Sequence, residues 1–349
     1  MNSEIEQSPL KQLRFSRILL PILFSVGVAA YLLYSENAYD KLTHLQIKGA
    51  VWSVFALCFG CMMLRDAAYI WRMKLMGGDE LSWRAAFEVT LLWEFANTVM
   101  PSLTGGTPLM IYLLIKEKLN AGKSTAIIFL TIFFDQLFFT LLVPIVMFFM
   151  GHTAIFSTLA GTTGTVTMAF FWSIYAVLAG YVGILGFGLI GNPQVIKRFL
   201  MWIFRAKWLR KWEHLGEKTG DDLIAASAEF KGKGLGYWAK LLVSTAIAWT
   251  ARFLVLNGLL IAFSPISLTF AQHSLAFGRQ SALYLMMFAA ITPGGSGIAE
   301  FLFSQLLSDM CPNPPGAAGM ALLWRVVGFY PYMLLGIWLL PRWIHRIFK

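Results

Sequence analysis

Long apolar segments alternate with short polar ones along most of the chain. The apolar segments cover residues 18–34, 49–64, 124–150, 166–190, 238–263 and 317–340. A helix needs about 20 mostly apolar residues to cross a bilayer, with some variation around that length. The pattern therefore predicts an all-α polytopic membrane protein with about six full spans.

Two apolar regions are interrupted by proline and glycine in the middle of the hydrophobic sequence. Residues 100–108 read Met-Pro-Ser-Leu-Thr-Gly-Gly-Thr-Pro, and residues 292–300 read Thr-Pro-Gly-Gly-Ser-Gly-Ile-Ala-Glu. The apolar helices after these breaks are only about 10 Å and about 20 Å long at the usual rise per residue. Such helices are too short to cross, so we expect two re-entrant hairpins. The alternative is eight spans.

The two interrupted regions predict an inverted repeat. Asp135 follows Gly106 by 29 positions, and Arg325 follows Gly295 by 30, so each break precedes a charged residue in an apolar helix at a similar distance. We expect one transmembrane domain over residues 1–349, with repeat halves at 1–190 and 237–349. The alternative is a coincidence between two glycine-containing loops.

Composition agrees with a membrane protein, since 58% of the residues are hydrophobic and only 13% are charged. The net charge of +10 lies mainly in short loops, which is typical of topology determinants in cytoplasmic loops rather than of nucleic-acid binding. We expect a multi-pass protein of the cell membrane with both termini in the cytoplasm. Residues near Gly161 and Pro314 should then face outward, and Lys118, Lys218 and Lys349 inward.

The basic segment 191–236 is the largest predicted cytoplasmic loop. Its part at 195–212 mixes tryptophan with lysine and arginine, a composition that suits a helix lying among anionic lipid headgroups. The alternative is an ordinary basic loop that only orients the protein.

The residues at both breaks resemble a known family. Residues 97–106, Asn-Thr-Val-Met-Pro-Ser-Leu-Thr-Gly-Gly, residues 292–300 and the downstream Arg325 look like the transmembrane domain of lysylphosphatidylglycerol synthases, also called the flippase-like family. The resemblance implies an integral membrane domain that moves lipids between leaflets. The aminoacyl-transferase domain of the two-part members is absent from this sequence, so the resemblance implies translocation rather than synthesis.

The breaks also predict an anion site. Thr107 is placed to cap a helix whose first residue is Pro108, and Gly297 can cap a helix whose third residue is Glu300. Two helix N-termini that meet near the midplane could hold a phosphate, although they could instead be capped by side chains and water. The predicted substrate-binding residues are Thr104, Gly105, Gly106, Thr107, Pro293, Gly294, Gly295, Ser296, Gly297, Glu300 and Arg325.

Further polar residues are expected inside the membrane, namely Glu94, Asn97, Asp135, Arg252 and Arg279. Burying charge in a bilayer is costly, so together with Glu300 and Arg325 these residues should face one another or a polar path. Each is either a structural ion-pair partner or a substrate contact. Asp135 and Arg325 are expected to flank one cavity, either as a pair or with Arg325 on a lipid phosphate.

Catalytic motifs are weak in this sequence. Position 298 is Ile, which removes the G-x-S-x-G pattern, and the five histidines lack ligand spacing. We expect no cofactor and no metal, and a membrane lipid as the substrate. The alternatives are a transferase that modifies lipid headgroups and a scaffold partner of an envelope enzyme. The sequence leaves a homo-oligomer open.

Overall fold

The structure, a computed structural model, describes residues 49–100, 106–159, 161–187, 230–264, 268–312 and 316–348, with isolated positions between 23 and 228. These parts of the chain are helical and contain no β-strand. Together with the long apolar helices described below, this makes the chain an all-α polytopic membrane protein, as the sequence predicts.

Eleven helices are numbered here in chain order within the described ranges. They are α1 Gly49–Gly77, α2 Trp83–Val99, α3 Thr107–Lys116, α4 Ala121–Met150, α5 His152–Ile155, α6 Gly161–Gly186, α7 Leu235–Phe263, α8 Phe270–Met287, α9 Ile298–Leu307, α10 Gly316–Gly328 and α11 Tyr330–Ile347. Short 3₁₀ turns follow α1 and α9 at Gly78–Glu80 and Ser308–Met310.

Polar residues at the N-caps define where several helices begin. The Ser82 side chain accepts a hydrogen bond from the Ala85 N–H at 3.1 Å, and Asn120 accepts one from Lys123 N–H at 2.7 Å. These bonds satisfy N–H groups that have no partner within the helix. The short polar segments between apolar runs therefore set the starts of α2 and α4.

Five described segments are long and apolar enough to cross a membrane. They are Val51–Glu80, Ala121–Met150, Gly161–Gly186, Leu235–Phe263 and Gly316–Ile347. Each overlaps one predicted span. The predicted span at 18–34 lies mostly outside the described residues, as do Thr104, Gly105 and most of segment 191–236, so the total of six stays a prediction.

The first of these spans is longer than predicted. The sequence pattern places the end of the helix at residue 64 and Arg65 and Arg72 at its polar exit, whereas α1 continues to Gly77 and both arginines are buried inside the bundle. That placement was wrong because distant carboxylates compensate both charges, which local hydropathy does not reveal.

The last span is interrupted once, at Phe329, where α10 ends and α11 begins. Pro331 follows in the first turn of α11, where the missing proline N–H costs no helical hydrogen bond. The predicted single helix 317–340 is therefore two helices joined by one residue.

Two series of helices have matching lengths and matching packing. Helices α1 to α4 contain 29, 17, 10 and 30 residues, whereas α7 to α9 contain 29, 18 and 10 and are followed by α10 and α11 with 13 and 18. Helix α1 packs along α7, α2 packs against α11, and α8 packs against α4. Exchange of the two series maps these contacts onto one another, while the repeat halves at 1–190 and 237–349 stay a prediction.

The two hairpins open at opposite ends of α4, a helix about 45 Å long at the usual rise. At the end where α4 begins, here the near end, Arg346 of α11 contacts Glu88 of α2 and Glu117 just after α3. These three residues form the near-end latch. The start of α2 and the end of α3 therefore both lie at the near end.

The other hairpin is fixed at the far end, where α4 finishes. Arg279 of α8 pairs with Asp309, two residues after α9, and donates to Ser157 Oγ at 2.7 Å. Arg279, Asp309 and Ser157 form the far-end latch. The α8–α9 hairpin thus has its open end opposite that of α2–α3, and both breaks lie between the latches.

Candidate functional site

The two breaks contact each other directly. The Gly294 N–H donates to the Met100 carbonyl at 3.2 Å. Gly294 has φ +55°, and an added Cβ would lie 2.4 Å from Phe329 Cε2 and 2.8 Å from the Thr98 carbonyl oxygen. Only glycine fits this left-handed, crowded position without strain. The glycine of the second break therefore allows the two chain segments to approach closely.

The helices after the breaks begin at glycines with positive φ. Gly106, at φ +62°, is the N-cap of α3, so Thr107 is its first residue and Pro108 its second; the prediction that Thr107 caps the helix was wrong by one position. Gly297, at φ +85°, caps α9 as predicted. A left-handed cap residue explains both choices, because a side chain would disfavour that backbone conformation.

Glu300 occupies the N-terminus of α9. Its Oε2 accepts a hydrogen bond from the Gly297 N–H at 2.7 Å. A carboxylate at this position satisfies a free donor and complements the positive end of the helix dipole. At the N-terminus of α9, the chain's own Glu300 therefore takes the place of an external anion. This is the alternative in which a side chain caps the helix.

A cavity of about 560 Å³ lies between the breaks and the surrounding helices. Its wall includes backbone or side-chain atoms of Thr107 and Gly294 and polar side chains from α1, α2, α4, α7 and α10. Aromatic residues cover much of the rest: Tyr69, Trp93, Phe129, Tyr181, Trp249, Tyr284, Phe288, Trp324, Phe329 and Tyr332. The volume is in the range of small-molecule sites.

Arg325 of α10 lines this cavity, and one of its three guanidinium nitrogens has no hydrogen-bond partner among the described residues. Its Nε donates to Glu300 Oε1 at 2.8 Å, and its Nη1 donates to the Gly294 carbonyl at 3.0 Å. The Arg325 residue is only 4% exposed, and its Nη2 atom is buried without a hydrogen-bond partner among the described residues. A buried guanidinium N–H without an acceptor is costly unless a ligand supplies one.

Asp135 is paired with Arg72 rather than with Arg325. The two side chains form a bidentate contact of 2.7 and 3.1 Å, and the Trp249 indole N–H donates to Asp135 Oδ1 at 3.2 Å. Arg72 also donates to Thr245 Oγ1 at 2.7 Å. Asp135 and Arg325 line the same cavity, but each has its own ion-pair partner.

Glu94 lies between two arginines. Its Oε2 is 2.6 Å from Arg65 Nη2 and 3.4 Å from Arg252 Nη2. Arg65 is fully buried, and its guanidinium stacks 4.5 Å from the centre of the Tyr332 ring. Asp66 accepts a hydrogen bond from the Tyr332 hydroxyl at 2.7 Å. This charge network fixes α1, α2, α7 and α11 around the cavity.

Sequence reasoning missed three charged residues of these ion pairs: Arg65, Asp66 and Arg72. They lie on α1 together with Tyr69 and Met73, which line the cavity beside Arg72. The signal was the spacing of Arg65, Tyr69 and Arg72, since residues four and seven apart share one face of a helix. That stripe is buried against α2, α7 and α11 instead of leaving the membrane.

The cavity brings together part of the predicted site. Its wall contains seven predicted residues: Glu94, Asn97, Thr107, Asp135, Arg252, Gly294 and Arg325. The remaining described ones at the breaks, Gly106, Pro293, Gly295, Ser296, Gly297 and Glu300, are outside this wall. Arg279 is separate from both groups, because it belongs to the far-end latch.

Comparisons with known proteins cover nearly the whole chain. Residues 18–336 match the family model described as lysylphosphatidylglycerol synthase TM region. A relative described as a UPF0104 membrane protein, from Archaeoglobus fulgidus, is 23% identical over 332 residues, which covers 91% of this chain and 94% of the relative. No solved structure matches the chain. The family match includes both breaks and every residue of the cavity wall.

Proposed function

Since the chain belongs to the lysylphosphatidylglycerol synthase TM-region family, we propose that it moves an anionic phospholipid or a lipid-linked carrier between membrane leaflets. The chain is a multi-pass membrane protein. The cavity between the two breaks is the proposed headgroup path. A lipid whose headgroup entered this cavity could leave its acyl chains in the surrounding bilayer.

The observation that carries the proposal is Arg325 Nη2, which has no hydrogen-bond partner in the part of the chain that the structure describes. This nitrogen is buried, and Arg325 lines the cavity that lies between the two broken helices. Guanidinium binds phosphate oxygens with strong, charge-assisted hydrogen bonds. A lipid phosphate would therefore supply the missing acceptor, while Glu300 and the Gly294 carbonyl hold the arginine in place.

The arrangement of the hairpins supports transport across the bundle. Paired broken helices related by an inverted repeat surround substrate sites near the midplane in many transporters. Here the hairpins open at opposite ends of α4 and their breaks meet, so a rearrangement of either hairpin could open the cavity to one side.

We assign the near end to the cytoplasm and the protein to the cell membrane. Lysines and arginines at that end include Lys74, Arg84, Lys116, Lys118 and Lys123, in agreement with the distribution expected of cytoplasmic loops. Segment 191–236 would then contact anionic headgroups of the inner leaflet.

The proposal is tested with the full chain in liposomes that contain a fluorescent phosphatidylglycerol. We expect the protein to equilibrate this lipid between leaflets and Arg325→Ala to lose at least ten-fold in rate. Arg342→Ala is the matched control, because Arg342 is exposed and stacks on Trp338 outside the cavity.

The other functions give different results in the same liposomes. A headgroup transferase would produce a new lipid species, detectable by extraction and mass spectrometry. A scaffold would neither move nor modify lipid. Absence of movement with every lipid tested would overturn the proposed translocation.

A further inference from the structure

The cavity wall contains buried polar atoms that the phosphate of a lipid could not satisfy. Gln136 Oε1 and Thr90 Oγ1 are buried, and neither has a hydrogen-bond partner within the described ranges. Both residues line the cavity. Gln136 Oε1 accepts but does not donate, and a phosphodiester has no proton to offer it. A ligand that fits this wall must carry hydrogen-bond donors as well as a phosphate.

One face of α2 presents further groups of the same kind. Thr90, Trp93, Glu94 and Asn97 all line the cavity, and each lies three or four residues from at least one other, so the four share one side of the helix. Together they offer a hydroxyl, a carboxylate and an amide beside a flat aromatic ring. This combination can bind hydroxyl groups on a carbon framework that packs against the ring.

The charges of the cavity wall favour a hydroxyl over an ammonium as the hydrogen-bond donor of the lipid headgroup. Both described carboxylates in the wall, Glu94 and Asp135, already contact arginine. An ammonium would have to displace an arginine and lie among the other arginines, which repel it. A hydroxyl carries no such cost.

We infer that the lipid taken by this cavity is a phosphodiester whose headgroup is uncharged and rich in hydroxyl groups. The inference rests on the proposed translocation of lipid. Arg325 holds the phosphate, and the α2 face together with Gln136 binds the hydroxyls. A glycerol headgroup and a polyol ring share this chemistry, and a cavity of about 560 Å³ has room for either beyond the phosphate.

The test compares chain-labelled lipids in vesicles that contain the wild-type protein. The lipids are phosphatidylglycerol, phosphatidylinositol and phosphatidylethanolamine, which share the phosphodiester and differ in the headgroup. We expect at least one hydroxylated lipid to move ten-fold faster than phosphatidylethanolamine. A faster phosphatidylglycerol identifies an open-chain headgroup, and a faster phosphatidylinositol identifies a ring.

A conservative variant connects the preference with the cavity wall. Thr90→Val keeps the side-chain volume and removes a hydroxyl that has no hydrogen-bond partner among the described residues, so the fold should persist. We expect the rate ratio of the preferred lipid to phosphatidylethanolamine to fall about five-fold, as for the loss of one hydrogen bond. Thr167→Val, a buried threonine of α6 outside the cavity, should keep the ratio.

The outcomes separate this inference from the proposed function. If phosphatidylethanolamine moves as fast as the hydroxylated lipids, or if Thr90→Val keeps the ratio, the inference is wrong and translocation stands. If none of the three lipids moves, the proposed translocation fails, and the inference fails with it.

Discussion

Gly294 lies where the two breaks touch, and the site depends on the absence of a side chain there. Its carbonyl accepts from Arg325 and its N–H donates to Met100, so the same residue positions the arginine and joins the hairpins. A change at Gly294 should therefore affect both stability and the cavity.

We expect Gly294→Ala to lower the free energy of unfolding by about 2–4 kcal/mol, because alanine adds both backbone strain and a clash with Phe329. Gly180→Ala is the control, since nothing lies within 4 Å of the added methyl group in α6. Thermal unfolding in detergent measures both. Equal transition midpoints for the two variants would show that the breaks do not pack as described.

The ion pairs of the cavity give a second prediction at this scale. Removal of Asp135 and Arg72 together should cost less than the sum of the single changes, with a coupling of about 1–3 kcal/mol. The Asp135 and Arg325 changes should be additive, because each residue has another partner. A double-mutant cycle on unfolding tests this, and stronger coupling to Arg325 than to Arg72 would contradict the geometry.

Features that depend on adjacent residues were easier to predict from the sequence than ion pairs between distant residues. The Gly297 cap and the position of Glu300 follow from a few adjacent residues, so the sequence was sufficient. The partner of Asp135 is 63 positions away on another helix. Hydropathy indicates the depth of a charge but not the direction it faces around the helix, which explains why Arg72 was missed.

At the scale of helices, each hairpin is held by one arginine at its open end. In the near-end latch, Arg346 contacts Glu88 and Glu117, and the Trp343 indole N–H also donates to Glu117. In the far-end latch, Arg279 is buried and donates to the Ala154 carbonyl of α5. Each latch joins a hairpin of one series to the last part of the other series, which is α11 in the near-end latch and the segment after α4 in the far-end latch.

We expect Arg346→Gln to loosen the α2–α3 hairpin alone. Amide hydrogen exchange in residues 107–117 should rise about five-fold, because a partly exposed ion pair contributes about 1 kcal/mol at most. Asp309→Asn is the corresponding change in the far-end latch, and it should raise amide hydrogen exchange in residues 298–310 only. An equal response of both hairpins to either variant would exclude two separate latches.

Segment lengths predicted the helices after the breaks as short, and α3 and α9 contain ten residues each. The length of α1 could not be predicted in the same way. Its polar stripe looked like the end of a span because the compensating acids lie on α2 and α4. The interruption at Phe329 was also missed, although Pro331 was a local signal.

At the scale of the whole molecule, exchange of the two helix series maps the packing onto itself. The latches follow the same rule: α2, the end of α3 and the end of α11 correspond to α8, the end of α9 and the segment after α4 that contains Ser157. The two glycine breaks are the sequence feature from which a repeat was predicted. The direction in which each charged side chain of the cavity points could be seen only in the assembled helix bundle.

The orientation predicts which end reacts from outside the cell. In a protein with Cys58, Cys61 and Cys311 replaced, Thr162→Cys should react with an impermeant thiol reagent in intact cells. Lys118→Cys should react only after permeabilisation, because α3 returns to the near end. The reverse labelling pattern would contradict the assignment of the near end to the cytoplasm.

The central claim is that lipid headgroups pass through the cavity between the breaks, and blocking that cavity tests it most directly. Asn97→Cys places a thiol in the wall, and Leu235→Cys places one on an exposed surface at the start of α7. Both proteins, without native cysteines, are reconstituted and treated with a bulky uncharged thiol reagent. Lipid movement should stop with the modified residue 97 and continue with the modified residue 235. Unchanged movement after complete modification at residue 97 would contradict the account.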